Sequence, residues 1–114
     1  MSRIGSYSAK ELAKAAKNPG AQCKMLADIA EVQYKINKDA AGFEEALSIA
    51  REIKKDYTKA FGLLNVAESM FNAGLKAKAR KIIKEAVGIE IEDESQKSEV
   101  EKQISRLLAG LDKI

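Results

Sequence analysis

Few side chains in this sequence could carry out covalent chemistry. The 114 residues include no histidine and one cysteine, Cys23. A nucleophile would therefore lack an imidazole to activate it, and neither an intrachain disulfide nor a multi-cysteine metal site can form. Acidic pairs such as Glu44/Glu45 and Glu90/Glu92 are ordinary for helix surfaces, and the sequence has no glycine-rich phosphate loop. We therefore expect no catalytic activity, no bound metal and no cofactor.

Positive charge is concentrated in one run between residues 76 and 84. Over the whole chain, 20 basic and 17 acidic residues give a net charge of only +3. The run lacks the interleaved aromatic residues of a single-strand-binding surface, so we interpret it as a solvated helix face. Nucleic-acid binding through this stripe is the less favoured alternative. Its basic residues are Lys76, Lys78, Arg80, Lys81 and Lys84.

The sequence shows no targeting or membrane-spanning segment. Its first ten residues, MSRIGSYSAK, lack the apolar core of a signal peptide. No stretch approaches the length of a membrane-spanning helix. A cytoplasmic protein without a membrane partner is therefore expected.

An internal repeat with a shift of 37 residues organises the chain. It aligns the stretch Glu45–Gly74 with an upstream copy, without a gap. Repeats of this length are typical of stacked helical units. Cys23 aligns with Ala60, which indicates a small buried residue. The other aligned pairs are Ala9/Ala46, Leu12/Ile49, Ala13/Ala50, Leu26/Leu63, Asp28/Asn65, Ile29/Val66, Ala30/Ala67, Glu31/Glu68, Tyr34/Phe71 and Asn37/Gly74.

Apolar spacing predicts a single all-α domain over residues 1–114. Lys, Glu, Ala, Leu and Ile dominate, and the sequence has only one proline, which favours helix over sheet. The predicted helices cover about 8–17, 20–36, 39–54, 57–73, 76–90 and 95–112.

Polar residues predict where several of these helices begin and end. Asn18, Asp39 and Asp93 stand at positions suited to helix N-caps, and Ser8 with Glu11 has the form of a capping box. Asn37 aligns with Gly74, and both residue types tolerate the left-handed conformation that ends a helix. We therefore expect the same backbone turn after both helices.

The spacing of large and small apolar residues between 63 and 86 resembles tetratricopeptide (TPR) repeats. The residues that carry it are Leu63, Val66, Ala67, Gly74, Ala79, Ile83 and Ala86. The resemblance implies an α-α superhelix, a right-handed stack of antiparallel helix pairs. The period here is 37 and then 40 residues, whereas TPR units repeat every 34.

The resemblance also implies a protein-interaction scaffold, in which the first helix of each pair lines a concave groove for a peptide or a partner helix. A clamp for a terminal carboxylate is disfavoured, because Asp28 would repel it. Carried onto this sequence, the partner-binding positions are Lys24, Asp28, Glu31, Tyr34, Leu64, Asn65, Glu68 and Phe71, together with Ala27 and Phe61.

Two alternatives stay open at this stage. Tyr34 and Phe71 either form aromatic platforms of a groove or pack between helices as core residues. The chain is also a candidate homodimer, because the apolar ends of a short array near helices 8–17 and 95–112 need covering.

Overall fold

The computed structural model describes residues 18–112, and every regular element of secondary structure in this range is a helix. Five helices follow one another: α1 (Pro19–Asn37), α2 (Ala41–Glu52), α3 (Asp56–Asn72), α4 (Lys76–Val87) and α5 (Glu94–Asp112). The all-α prediction is confirmed for this part of the chain, although α2 and α4 end two or three residues earlier than predicted. The predicted helix at 8–17 and its capping box, Ser8 with Glu11, lie outside the described residues.

Helix α3 is the centre of the arrangement, because it packs against each of the other helices. Helix α1 contacts α2 and α3, while α5 contacts α3 and α4. The backbones of α2 and α4 stay apart, but Arg51 of α2 donates two 2.9 Å hydrogen bonds to the Glu85 carboxylate of α4. These bonds hold the pKa of Glu85 below its usual value. Both side chains are exposed, so the pair contributes little stability.

The start of α1 is set by the pair Asn18 and Pro19. The Asn18 side-chain oxygen accepts hydrogen bonds from the backbone N–H groups of Gly20, at 2.8 Å, and Ala21, at 3.3 Å. Proline in the first turn loses nothing there, because its missing N–H would have had no partner inside the helix. The predicted cap at Asn18 is confirmed.

An aspartate stands just before each of α2 and α5, and each accepts a backbone hydrogen bond. The Asp39 carboxylate accepts a 3.0 Å bond from the backbone N–H of Ala41. The Asp93 carboxylate accepts bonds from the Gln96 N–H, at 2.9 Å, and from the Ser95 hydroxyl, at 2.7 Å. Because these donors favour the charged form, the pKa of Asp93 lies below its usual value. The predicted cap at Asp93 is confirmed. The N-cap of α2 is Ala40 and not Asp39, so the predicted cap at Asp39 is wrong by one residue.

The two repeat copies end their helices differently. Gly74 has a φ of 92°, and the bonds from its N–H to the Phe71 carbonyl and from Leu75 to Met70 form a Schellman motif. In the upstream copy the left-handed residue is Lys38, with a φ of 63°, so the prediction for Asn37 is wrong. Asn37 stays helical, and its side chain instead accepts a 2.9 Å bond from the Asp39 N–H.

One hydrophobic core receives side chains from all five helices. Its largest fully buried members are Phe43, Leu63, Met70 and Ile83. Small residues let helices approach closely, and four alanines of the core are almost completely buried. They are Ala30, Ala67, Ala79 and Ala86.

Replacing either of two glycines with alanine tests this close packing. The expected changes in the free energy of unfolding have opposite signs. A methyl group on Gly42 would lie 2.9 Å from the Ala30 Cβ and 3.2 Å from its Cα, whereas one on Gly110 would meet only the Phe71 ring at 3.6 Å. We expect Gly42→Ala to lower the free energy of unfolding by about 1–3 kcal/mol through overpacking. Gly110→Ala should raise it by about 0.5–1 kcal/mol, because alanine restricts the unfolded chain.

Urea denaturation followed by far-UV circular dichroism measures both glycine variants, and each serves as the control for the other. Equal effects of the two substitutions would contradict the close approach of α1 and α2 at Gly42.

Candidate partner-binding surface

The middle of helix α3 reaches the surface along a narrow line. Between Ala60 and Met70, every residue is buried except Phe61, Asn65 and Glu68. Their spacing of four and three residues places them on one side of the helix. We call these three residues the α3 stripe. Within residues 60–70, it is the part of the central helix that solvent reaches.

An aromatic pair begins this surface. The rings of Tyr57 and Phe61 meet edge to face, with centroids 4.8 Å apart. Both rings are partly buried and pack against the core, so their orientation is fixed by their surroundings. Rigid aromatic side chains of this kind provide contact area at low entropic cost.

An ion pair marks the other end of the stripe. The Arg106 guanidinium of α5 donates to both Glu68 carboxylate oxygens, at 3.2 and 3.3 Å, and also to the Gln103 side-chain oxygen, at 2.7 Å. The two charged groups are 54% and 38% exposed, so their net stabilisation is small. The bidentate geometry nevertheless fixes where the negative charge lies between α3 and α5.

The repeat places a charged counterpart on α1. Lys24, Asp28 and Glu31 stand 37 residues before the members of the α3 stripe. The Lys24 ammonium lies 3.3 Å from Asp28, and the Lys35 ammonium lies 3.1 Å from Glu31. Since α1 packs beside α3, the two sets lie on neighbouring helices. The set on α1 is charged along its length, while the α3 stripe begins with an aromatic ring.

The aromatic residues Tyr34 and Phe71 pack against the core and are only partly exposed. The Tyr34 ring centroid lies 6.3 Å from that of Phe43, and the Lys38 ammonium lies 5.4 Å from the Tyr34 centroid. Phe71 faces α5 at Gly110. These contacts agree with the alternative in which both rings pack between helices.

Two other predicted positions are not available to a partner. Leu64 is 3% exposed and Ala27 is fully buried, so both belong to the core and not to a surface. The sequence pattern failed here because an apolar residue at helical spacing suits an apolar groove and a core equally well. Of the predicted partner-binding residues, Lys24 and Asp28 are exposed, and Glu31, Asn65 and Glu68 are partly exposed.

The basic run lies on α4. Lys78, Lys81 and Lys84 are exposed, as expected for a solvated helix face. Arg80 donates a 3.1 Å hydrogen bond to Asp112 at the end of α5. Acidic and basic groups are therefore interspersed on this side.

Cys23 is an inert core residue. It is completely buried, and its thiol donates weak hydrogen bonds to the carbonyls of Gly62, at 3.3 Å, and Ala46, at 3.5 Å. Burial raises the pKa of this thiol to about 12. Because the thiolate is the reactive form, Cys23 is unsuited to nucleophilic chemistry.

Two open grooves lie away from the α3 stripe. One, of about 800 Å³, is floored by Ile49 and Ile53 and lies beside the start of α1. The other, of about 450 Å³, lies between the end of α4 and α5 and is floored by Val100 and Ile104. Both have charged rims, and neither gathers the residues of a reactive site.

Comparison with known proteins does not indicate what this surface binds. No protein-family model, curated protein or solved structure matches the chain. Within residues 18–112, no group of acidic or cysteine side chains is arranged to hold a metal ion. None of the helices formed by these residues combines the length and apolar character needed to cross a bilayer.

Sequence reasoning missed the contribution of α5 to this surface. Arg106 donates hydrogen bonds to Glu68 and to Gln103, but no local sequence pattern identifies these contacts. Only the packing of α5 beside α3 brings Arg106 to Glu68. The ring of Tyr57 was also missed, although its spacing of four residues from Phe61 is a usable helical signal.

Proposed function

We propose that this chain is a protein-interaction module of TPR-like helix pairs, which binds a peptide or a partner helix across α1 and α3. The observation that carries the proposal is the α3 stripe. Between Ala60 and Met70, the central helix is buried on every side except along Phe61, Asn65 and Glu68. A narrow accessible line flanked by a fixed aromatic pair suits one elongated partner.

The contact pattern of the helices supports the TPR-like part of the proposal. In a stack of helix pairs, each first helix contacts its own partner and the first helix of the next pair. Here α1 contacts α2 and α3, and α3 contacts α4 and α5. The repeat register, the Schellman turn at Gly74 and the small residues between helices fit the same architecture.

The chemistry of the surface favours a partner segment that is apolar with flanking positive charge. Tyr57 and Phe61 provide an apolar platform, while Asp28, Glu31 and Glu68 provide carboxylates on both helices. Each carboxylate accepts more hydrogen bonds than its present ion pair uses, so a lysine or arginine of the partner can share it. Asp28 disfavours a partner that presents a terminal carboxylate.

Asn65 stands at the middle of the α3 stripe, and Asn65→Arg should block it. We expect peptides selected on the wild-type chain from a random-peptide display library to contain an aromatic or aliphatic residue beside Lys or Arg. Their affinity should fall at least tenfold for Asn65→Arg, because the new side chain covers the stripe and repels positive charge. Titration calorimetry or fluorescence anisotropy with a synthetic peptide measures this change.

The matched control is Lys81→Ala, which alters an exposed charge on α4. It should leave peptide affinity unchanged, and both variants should keep the wild-type melting temperature. If no peptide is enriched, or if the enriched peptides bind Asn65→Arg as well as the wild type, the proposed binding surface is wrong.

A further inference from the structure

Three of the four large apolar side chains that are exposed within residues 18–112 lie on one side of helix α1. Met25, Val32 and Ile36 are 40%, 56% and 78% exposed, and Ile29 between them is partly exposed. The spacing of four, three and four residues aligns them along one line. We call these four residues the outer stripe of α1. Single exposed apolar residues are normal, but an aligned row indicates a contact surface.

The spacing of the outer stripe is that of the seam between two helices of a coiled coil. Apolar residues separated alternately by four and three positions keep one line facing a partner helix over several turns. From Met25 to Ile36 this line extends about 16 Å along α1. The equivalent face of α3 already packs on a helix. Gly62 stands 37 residues after Met25, and a methyl group built on it would lie 3.3 Å from the Ala50 Cβ of α2. The outer stripe therefore suits another helix.

The charges beside the outer stripe complement one another when two copies of α1 meet. Asp28 and Lys35 lie seven residues apart along the same edge of the stripe, and their side chains are 56% and 55% exposed. In an antiparallel pair with Ile29 opposite Val32, Asp28 of each copy lies about 3 Å along the axis from the level of Lys35 of the other. Two-fold symmetry forms this ion pair twice. A parallel pair would place Asp28 opposite the uncharged Gln33 and would form neither ion pair.

We propose that two copies of this chain associate through the outer stripe of α1, with the two helices antiparallel. Met25 of each copy then contacts Ile36 of the other, and Ile29 contacts Val32. Because the same surface is used on both copies, the interface closes as a dimer and does not extend into a filament. The inference does not rest on the proposed peptide site, since none of the four apolar residues belongs to it and Asp28 alone is common to both surfaces.

Sedimentation analysis over a range of protein concentrations tests the association. The mass of the wild type should rise with concentration towards that of two chains. Val32→Glu should weaken the dimer at least tenfold, because it buries an unpaired carboxylate at the centre of the seam in each copy. Val32 is 56% exposed in the single chain, so the variant should keep the wild-type circular dichroism spectrum.

The matched control is Val87→Glu on α4. It adds the same charge at a valine of similar exposure, 59%, but away from the outer stripe. Its dimerisation should equal that of the wild type.

Cysteine cross-linking in a Cys23→Ala background tests the orientation of the two helices. One chain carries Met25→Cys and the other Ile36→Cys, and oxidised glutathione takes up the two electrons and two protons that the thiols release. In the antiparallel dimer these two positions are opposite each other, whereas two copies of either variant alone keep their thiols about 16 Å apart along the axis. A disulfide needs Cβ atoms about 3.5–4.5 Å apart. The mixture should therefore form covalent dimers at least tenfold faster than either variant alone.

Three results would overturn the proposal. A wild-type mass that stays that of one chain at every concentration would assign the outer stripe to a different occupant, either residues 1–17 or another protein. A dimer that Val32→Glu weakens no more than Val87→Glu does would place the interface elsewhere. A dimer in which Ile36→Cys alone cross-links as fast as the mixture would show that the helices are not antiparallel.

Discussion

Replacing Phe43 with alanine is expected to lower the free energy of unfolding by about 3–5 kcal/mol. Phe43 is 1% exposed and is the largest of the fully buried side chains. Its ring fills the space between α1 and α2 beside Tyr34. A domain of this size is stable by about 5–15 kcal/mol, so the variant should lose a large share of its stability. Urea denaturation followed by circular dichroism gives the change.

Val87→Ala is the control for the Phe43 variant, because it also removes apolar atoms from a helix but at a position that is 59% exposed. Its expected effect is within about 0.5 kcal/mol. A loss below about 1 kcal/mol for Phe43→Ala would mean that the first helix pair is not packed around this ring.

Alkaline pH is expected to destabilise the protein through Cys23. Its pKa rises from 9.0 to about 12 on folding, because the buried thiolate would lose its hydration. Between these values the unfolded chain releases the thiol proton and the native chain keeps it. The free energy of unfolding therefore falls by about 1.4 kcal/mol per pH unit, reaching about 4 kcal/mol near pH 12. Below pH 8 this contribution is fully retained.

Comparison with Cys23→Ala isolates the thiol from the lysines and tyrosines that titrate in the same range. The stability of the wild type relative to this variant should be constant up to pH 8 and should fall by about 2 kcal/mol by pH 10.5. A constant difference up to pH 10.5 would show that the Cys23 thiol ionises as readily in the folded chain as in the unfolded one.

Local chemistry explains why much of the fold could be predicted from the sequence. Asn18 and Asp93 form caps through side chains that reach backbone N–H groups within three residues, so their signal is fully contained in a short segment. The burial of Cys23 followed from its alignment with Ala60, and both residues are completely buried.

The remaining features depend on packing that the sequence does not encode locally. Leu64 was assigned to a groove, although the arrival of α2, α4 and α5 around α3 places it in the core. The left-handed residue after α1 is Lys38, while the backbone of Asn37 stays helical and its side chain accepts a hydrogen bond from the Asp39 N–H. Arg106 reaches Glu68 across 38 residues, and only the placement of α5 determines that contact.

The contacts of α3 have a consequence for the kinetics of folding. Within residues 18–112, the helices pack only against those one or two places away along the chain. Each contact therefore closes a short loop, and the loop-closure entropy that opposes folding stays small. Helical proteins with such low contact order fold in microseconds to milliseconds. We expect this chain to reach its native state on that timescale. Helix α3 would bring α1 and α2 together with α4 and α5.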